Sequence, residues 1–82
     1  MMHLKILTPS GTVAEEQIEK IALPGKVGPF MVLRNHAPLI SSLLEGEVVY
    51  TPTGSPEKRL PIRGGFAHIL HNEIELCVEL KR

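Results

Sequence analysis

A single cysteine, Cys77, occurs in the 82 residues of this chain. One thiol cannot close an internal disulfide, so packing alone must hold the fold, which fits a reducing compartment. Neither charge is in excess: nine basic residues balance nine acidic ones. A nucleic-acid binder ordinarily shows a basic surplus, so no nucleic-acid partner is expected. No apolar run approaches the roughly 20 residues that span a bilayer as a helix. No charged-then-apolar leader opens the chain. The expectation is a soluble, cytoplasmic protein that can still dock on a membrane complex.

Recognisable reaction chemistry is equally scarce. The four histidines (His3, His36, His68, His71) and Cys77 raise the question of a metal. Zinc needs three or four converging nitrogen or sulfur ligands, and neither an HExxH nor a paired-cysteine spacing occurs. His68 and His71 are three residues apart, but the turn expected between two strands separates them. No metal is expected, and the histidines read as partly exposed residues of a sheet. Ser10, Ser41, Ser42 and Ser55 have no histidine–acid arrangement around them in sequence. LPGKVG (Leu23 to Gly28) has glycines but neither a GK[ST] nor a following helix, so it is no phosphate cradle. Glu73, Glu75 and Glu79 share one strand face and read as a solvated edge rather than as paired catalytic carboxylates. Lys20 and Lys58 do not sit in a lipoyl- or biotinyl-attachment turn. No cofactor is expected.

What the chain does have is dense alternation punctuated by turns. Its length implies one domain over residues 1–82, burying about 60–65% of its unfolded surface. At roughly 0.05–0.15 kcal/mol per residue, its stability should be about 4–12 kcal/mol. From His3 to Thr8, Leu4 and Ile6 point one way and Lys5 the other, which is the period of a half-buried strand. Thr8-Pro9-Ser10-Gly11 is a turn signal. From Thr12 to Leu23 the parity breaks: Ile18 lies on the even face, Ile21 and Leu23 on the odd one. One extra residue near Glu19-Lys20, a bulge or twist, would reconcile them. Glu15 to Ala22 also carries a helical period, but Pro24-Gly25 follows at once and no N-cap fits, so strand is preferred.

The stretch from Leu23 to Pro38, LPGKVGPFMVLRNHAP, organises the rest. Pro24-Gly25 reads as a tight turn with glycine at a positive φ. Gly28-Pro29 breaks the chain again. Phe30-Met31-Val32-Leu33 is apolar on both faces and reads as a strand buried on two sides. Arg34-Asn35-His36 places polar groups at its end, and Pro38 forces Ala37 out of the α region. A buried strand between two stiff turns is a means of presenting loops.

Leu39 to Leu44 has paired apolar residues and reads equally as a helical turn or a kinked strand. Glu45-Gly46 looks like a turn or bulge. Glu47 to Tyr50 is a strand by its β-branched and aromatic content. Thr51 to Pro56 is a polar hairpin tip. Lys58 to Arg63 alternates, with Leu60 and Ile62 inward, and Pro61 marks an edge strand because it offers no ladder donor. Gly64-Gly65 signals a bulge or the close approach of another backbone. Phe66 to Leu70 resumes the strand, His71-Asn72 suits a two-residue hairpin turn, and Glu73 to Leu80 is the cleanest strand, with Ile74, Leu76, Val78 and Leu80 inward. Short strands at turn spacings of about eight to twelve residues argue for an all-β fold, a flattened β-sandwich of about ten strands.

Leu23-Pro24-Gly25, Gly28, Phe30, Val32-Leu33 and His36-Ala37-Pro38, in that order, resemble the epsilon subunit of F-type ATP synthases. Thr8-Pro9, Gly46 and Gly64-Gly65-Phe66 extend the resemblance over nearly the whole chain. No piece is specific alone; the order and spacing are. Three positions depart from the family. Pro29 replaces a charged or polar residue, Met31 a small one, and Arg34-Asn35 a proline-glycine-like turn, which puts the partner fit of the loops in question rather than the sandwich.

The resemblance implies a β-sandwich and a non-catalytic central-stalk subunit of a proton-translocating synthase. Such a subunit joins the gamma subunit to the ring of c subunits, peripheral on the cytoplasmic face of the inner (plasma) membrane. By the same resemblance Gly25, Gly28 and Phe30 shape the ring-facing end, and His36, Ala37 and Pro38 lie toward gamma. His36 reads independently as a histidine that orders its own loop, and the two roles are compatible. Longer members add a C-terminal helical hairpin with inhibitory and nucleotide-binding roles. Here the sequence stops at Lys81-Arg82, so those roles are not expected, and no nucleotide is expected on this chain. The rival reading is a free-standing β-sandwich adaptor or carrier; an enzyme built on the histidines ranks third.

Overall fold

Strict alternation makes the last strand. In β7 (Glu73–Leu80), Ile74, Leu76 and Val78 are buried while Glu73, Glu75, Cys77 and Glu79 face water. The computed structural model describes residues 1–81, and seven strands occur among them. β7 lies parallel to β1 (Met2–Thr8) and antiparallel to β6 (Lys58–Leu70). β6 runs on to β5 (Gly46–Pro52), β5 pairs β2 (Gly11–Leu23), and β2 returns to β1, so the sheet closes on itself. β3 (Phe30–Val32) hangs from β2 and β4 (Leu39–Leu43) from β6. The fold is all-β, a flattened sandwich with barrel-like closure, 29 × 25 × 19 Å in extent.

The strand number corrects the expected ten. β2 and β6 are each 13 residues long and serve both layers. The first part of β2 pairs β1; its last part pairs β5 and β3. β6 likewise pairs β5 first, then β7 and β4. Each long strand carries a register shift at the changeover, between Ile18 and Lys20 in β2 and between Ile62 and Gly64 in β6. An extra residue bends a strand and adds twist, which lets it turn a corner between sheets without ending. The parity break read at Glu19-Lys20 is this corner: Ile18, Ile21 and Leu23 are all buried. Glu15 to Ala22 is strand throughout, and so is Leu39 to Leu43.

Three further expectations meet the structure differently. The Phe30–Leu33 run is not buried on two sides: Val32 is buried, but Met31 is 51% and Leu33 54% exposed. β3 has only three residues and pairs β2 alone, and among the described residues no layer packs over the side that carries Met31 and Leu33. Gly25 is not at a positive φ; Gly28 is, at 150°. The turn closes two residues later than expected, with the Gly28 N–H donating to the Gly25 carbonyl at 3.1 Å. Glycine is needed at position 25 for space: a Cβ there would stand 2.7 Å from the Gly28 carbonyl oxygen and 2.7 Å from the Phe30 ring. Pro61 is not on an edge: it stands opposite Glu47 of β5, its carbonyl accepts from the Lys81 N–H at 3.2 Å on the other side, and β6 as a whole pairs three strands.

The two glycine readings at 64 and 65 both hold. The register shift precedes Gly64, and a Cβ on Gly65 (φ 152°) would collide with the Cys77 carbonyl. At the β6–β7 turn His71 and Asn72 have φ of 51° and 61°, the paired left-handed conformation of a two-residue hairpin.

Candidate partner-binding surface

The six residues that the sequence singles out fall into two groups at opposite ends of β3 and β4. At one end the chain leaves β2, passes Pro24 and binds the far end of β4: Lys26 N–H donates to the Ser42 carbonyl at 2.9 Å, and Leu44 N–H to the Pro24 carbonyl at 2.8 Å. Gly25 bridges Leu43 and is buried. The half-buried Phe30 ring closes over it. Gly28 completes the turn, which raises Val27 fully into solvent beside Lys26. Gly25, Gly28 and Phe30 are thus one packed unit, and a shallow groove runs from Gly28 and Phe30 to Ile40.

At the other end, a turn follows β3. The His36 N–H donates to the Leu33 carbonyl at 3.2 Å, with Asn35 at φ 67°. The His36 Nδ1 lies 2.7 Å from the Ala37 carbonyl oxygen. A carbonyl only accepts, so Nδ1 carries the proton. His36 therefore orders its own loop, beside the exposed Ala37 and Pro38. Asn35 meets Asn72 across the β6–β7 turn through two hydrogen bonds, at 2.6 and 3.1 Å.

The other titratable groups do not build a reaction centre. No set of three His, Cys, Asp or Glu side chains capable of holding a metal converges among the described residues. His3 lies between two carboxylates, its Nε2 3.1 Å from Glu15 and its Nδ1 3.2 Å from Glu73, while His68 and His71 are exposed. Lys81, hydrogen-bonded to Glu45 at 2.6 Å, holds that carboxyl below the usual range. Burial, then the neighbouring Glu16 carboxylate, raises the Tyr50 phenol. These are structural pairs rather than a cluster in a cleft.

One surface was not singled out from sequence. Phe66 on β6 sits opposite Cys77 on β7, and Cys77 opposite Leu7 on β1, so three outward side chains form a row across the sheet. Phe66 is 61% exposed, and Ile40 on the adjoining β4 is 74% exposed. Gly64 and Gly65, without side chains, open a groove of about 590 Å³ beside Phe66. The signal was available: with Ala67 and Ile69 inward, Phe66 and Leu70 must point out.

Residues 1–80 match the family described as the β-sandwich domain of the ATP synthase delta/epsilon chain. The chain belongs to that family. It is 37% identical over 78 residues to the ATP synthase epsilon chain of Desulfosudis oleivorans, covering 95% of this chain and 59% of that one. It is 39% identical over 77 residues to the chloroplastic ATP synthase epsilon chain of Cyanidioschyzon merolae, covering 94% and 58%. The chain therefore spans less than two thirds of the length of these relatives. Among solved structures, a chain of the Euglena gracilis mitochondrial ATP synthase OSCP/F1/c-ring assembly superposes with a TM-score of 0.87 at 20% identity, covering 94% of this chain and 49% of that one. A chain of the Tetrahymena thermophila mitochondrial ATP synthase central stalk/c-ring superposes with a TM-score of 0.81 at 15% identity, covering 95% and 63%. At such identities the superpositions establish the fold alone.

Proposed function

We propose that this chain is the β-sandwich part of an epsilon subunit, a non-catalytic piece of the rotor of a proton-translocating F-type ATP synthase. In this reading it joins the gamma subunit to the c-ring on the cytoplasmic face of the membrane. The observation that carries the reading is identity of more than a third to epsilon chains over nearly every residue here. The task is mechanical. Each elementary charge crossing the membrane releases about 2.3 kcal/mol per 100 mV, and that energy reaches distant catalytic sites only if the rotor's foot does not slip. A closed sheet whose two longest strands run through both layers is suited to carry load. The Gly25–Phe30 unit, with Val27 at its tip, is assigned to the ring-facing end, and His36, Ala37 and Pro38 to gamma. Exposed Met31, Leu33 and Ile40 add apolar area for a partner to cover.

The test is association. Permanent interfaces commonly bury 2,000 Å² or more, so the chain and the gamma subunit of its own synthase should co-elute from gel filtration at micromolar concentration. In gently solubilised membranes both should travel with the c-ring. Recovery as a free protein in both experiments would instead favour a free-standing adaptor.

A further inference from the structure

The turn after β3 and the tip of the β6–β7 hairpin are far apart in sequence but locked together. The Asn35 N–H donates to Asn72 Oδ1 at 2.6 Å, and Asn72 Nδ2 donates back to Asn35 Oδ1 at 3.1 Å. The backbone carbonyl of Asn72 also accepts from the His3 N–H at 2.9 Å, which ties the hairpin tip to β1. Among the described residues, the other hydrogen bonds of the segment 33–38 stay inside it: His36 to Leu33, and His36 to Ala37. Between its two flanking strands, the segment is therefore held to the body of the sandwich through Asn72. A two-residue hairpin does not need asparagine at this position. Glycine takes the positive φ at least as readily, so the amide has a use beyond the turn.

We propose that Asn72 is a positioning residue for the partner surface. Its side chain fixes the Leu33–His36 turn, and so fixes where His36, Ala37 and Pro38 stand before a partner arrives. The proposal rests on the reading of those three residues as facing gamma. A loop already ordered in its bound shape loses less entropy on docking, which raises affinity without any new contact. Asn72 itself need not touch the partner.

Glycine substitutions test this cleanly, because Asn35 and Asn72 both have positive φ (67° and 61°) and glycine preserves it. Asn72→Gly, Asn35→Gly and the double variant would be compared with the unaltered chain. Three readings are taken: amide exchange, thermal melting, and calorimetric titration with the gamma subunit. Asn72→Gly should speed exchange of the Asn35 N–H by about 10-fold or more and weaken gamma binding about 3- to 10-fold, the scale of one or two lost hydrogen bonds. Protection in β6 and β7 should persist. The double variant should bind no more weakly than Asn72→Gly, because one link is broken in both. If Asn72→Gly quickens exchange at Asn35 yet binds gamma as the unaltered chain does, the positioning role is wrong. A loss of affinity that merely follows lost protection throughout β6 and β7 also overturns it, since the residue would then be structural. Asn35→Gly keeps the backbone donor of the 2.6 Å bond and loses only the 3.1 Å one, so it should cost less affinity than Asn72→Gly. Failure of Asn72→Gly to fold would make the residue structural and refute the proposal. Failure of the unaltered chain to bind gamma sinks the underlying reading of the surface as well, and that titration is run first.

Discussion

Gly25 and Cys77 mark the two extremes of tolerance in this chain. A side chain at Gly25 would meet the Gly28 carbonyl and the Phe30 ring, both inside van der Waals distance. Overpacking of this kind costs about 1–3 kcal/mol, a large share of a stability of about 4–12 kcal/mol. Gly25→Val should therefore lower the denaturant midpoint and displace Phe30, whereas Cys77→Ser, outward and exposed on β7, should leave it unchanged. In vesicles carrying the reconstituted synthase, Gly25→Val should reduce ATP-driven proton pumping and Cys77→Ser should not. The reverse ranking would mean that the Gly25 end is only scaffolding. Tyr50 offers a pH readout, since it is the single tyrosine. Burial, reinforced by Glu16, raises its phenol above the ordinary value of about 10. The folded state thus holds that proton to higher pH than the unfolded chain does. The linked stability is present below about pH 10 and is lost as pH rises through the raised folded value. Phenolate absorbance should titrate later in the native protein than in denaturant, and Tyr50→Phe should remove this part of the alkaline destabilisation.

Bulges decide what the long elements can do. Deleting Glu19 would take out the extra residue at the corner of β2 and push Ile21 and Leu23 toward the outer face. Each loses about 1.5–3 kcal/mol of burial. Together they amount to about half or more of the stability, so the deletion variant should melt at a much lower temperature, which circular dichroism would report directly. An unchanged melting temperature would mean that the corner can be rebuilt elsewhere. β3 is the opposite case. With three residues and one partner, its amides should exchange before those of β7, which is paired on both sides. The bulge at Glu19 was legible because three large aliphatics with conflicting parity left no other way to bury them. The exposure of Met31 and Leu33 was not. Periodicity shows that both faces are apolar, but not whether a neighbouring strand exists to cover the second. The Pro24-Gly25 turn was placed two residues early, because Pro-Gly is a strong local signal and its competitor lies elsewhere. The backbone of 24–26 pairs the end of β4, and that pairing fixes Gly25 in a bridge and passes the positive φ to Gly28.

For the whole molecule, the core is a continuous apolar cluster drawn from all seven strands, Tyr50 included, and no charged side chain is buried among the described residues. The domain should fold without help: its melting temperature is expected to be unchanged by chelator or by ATP. A drop of several degrees with chelator, or a clear rise with ATP, would contradict that. The alternating pattern by itself determined that this chain is all-β, which face of most strands turns inward, where the hairpins fall, and that one extra residue must sit near Glu19. These are local consequences of a two-residue period and of turn chemistry, and they need no neighbour to be read. Only the tertiary structure decided that ten expected segments are seven strands, because continuity through a corner depends on which partner waits on the far side of the bulge. It alone joined Asn35 to Asn72, set Phe66, Cys77 and Leu7 in one row, and made Gly25 indispensable for space rather than for its backbone angle. Each of these is a contact between residues distant in sequence, and their placement depends on how the strands pair as the sheet closes.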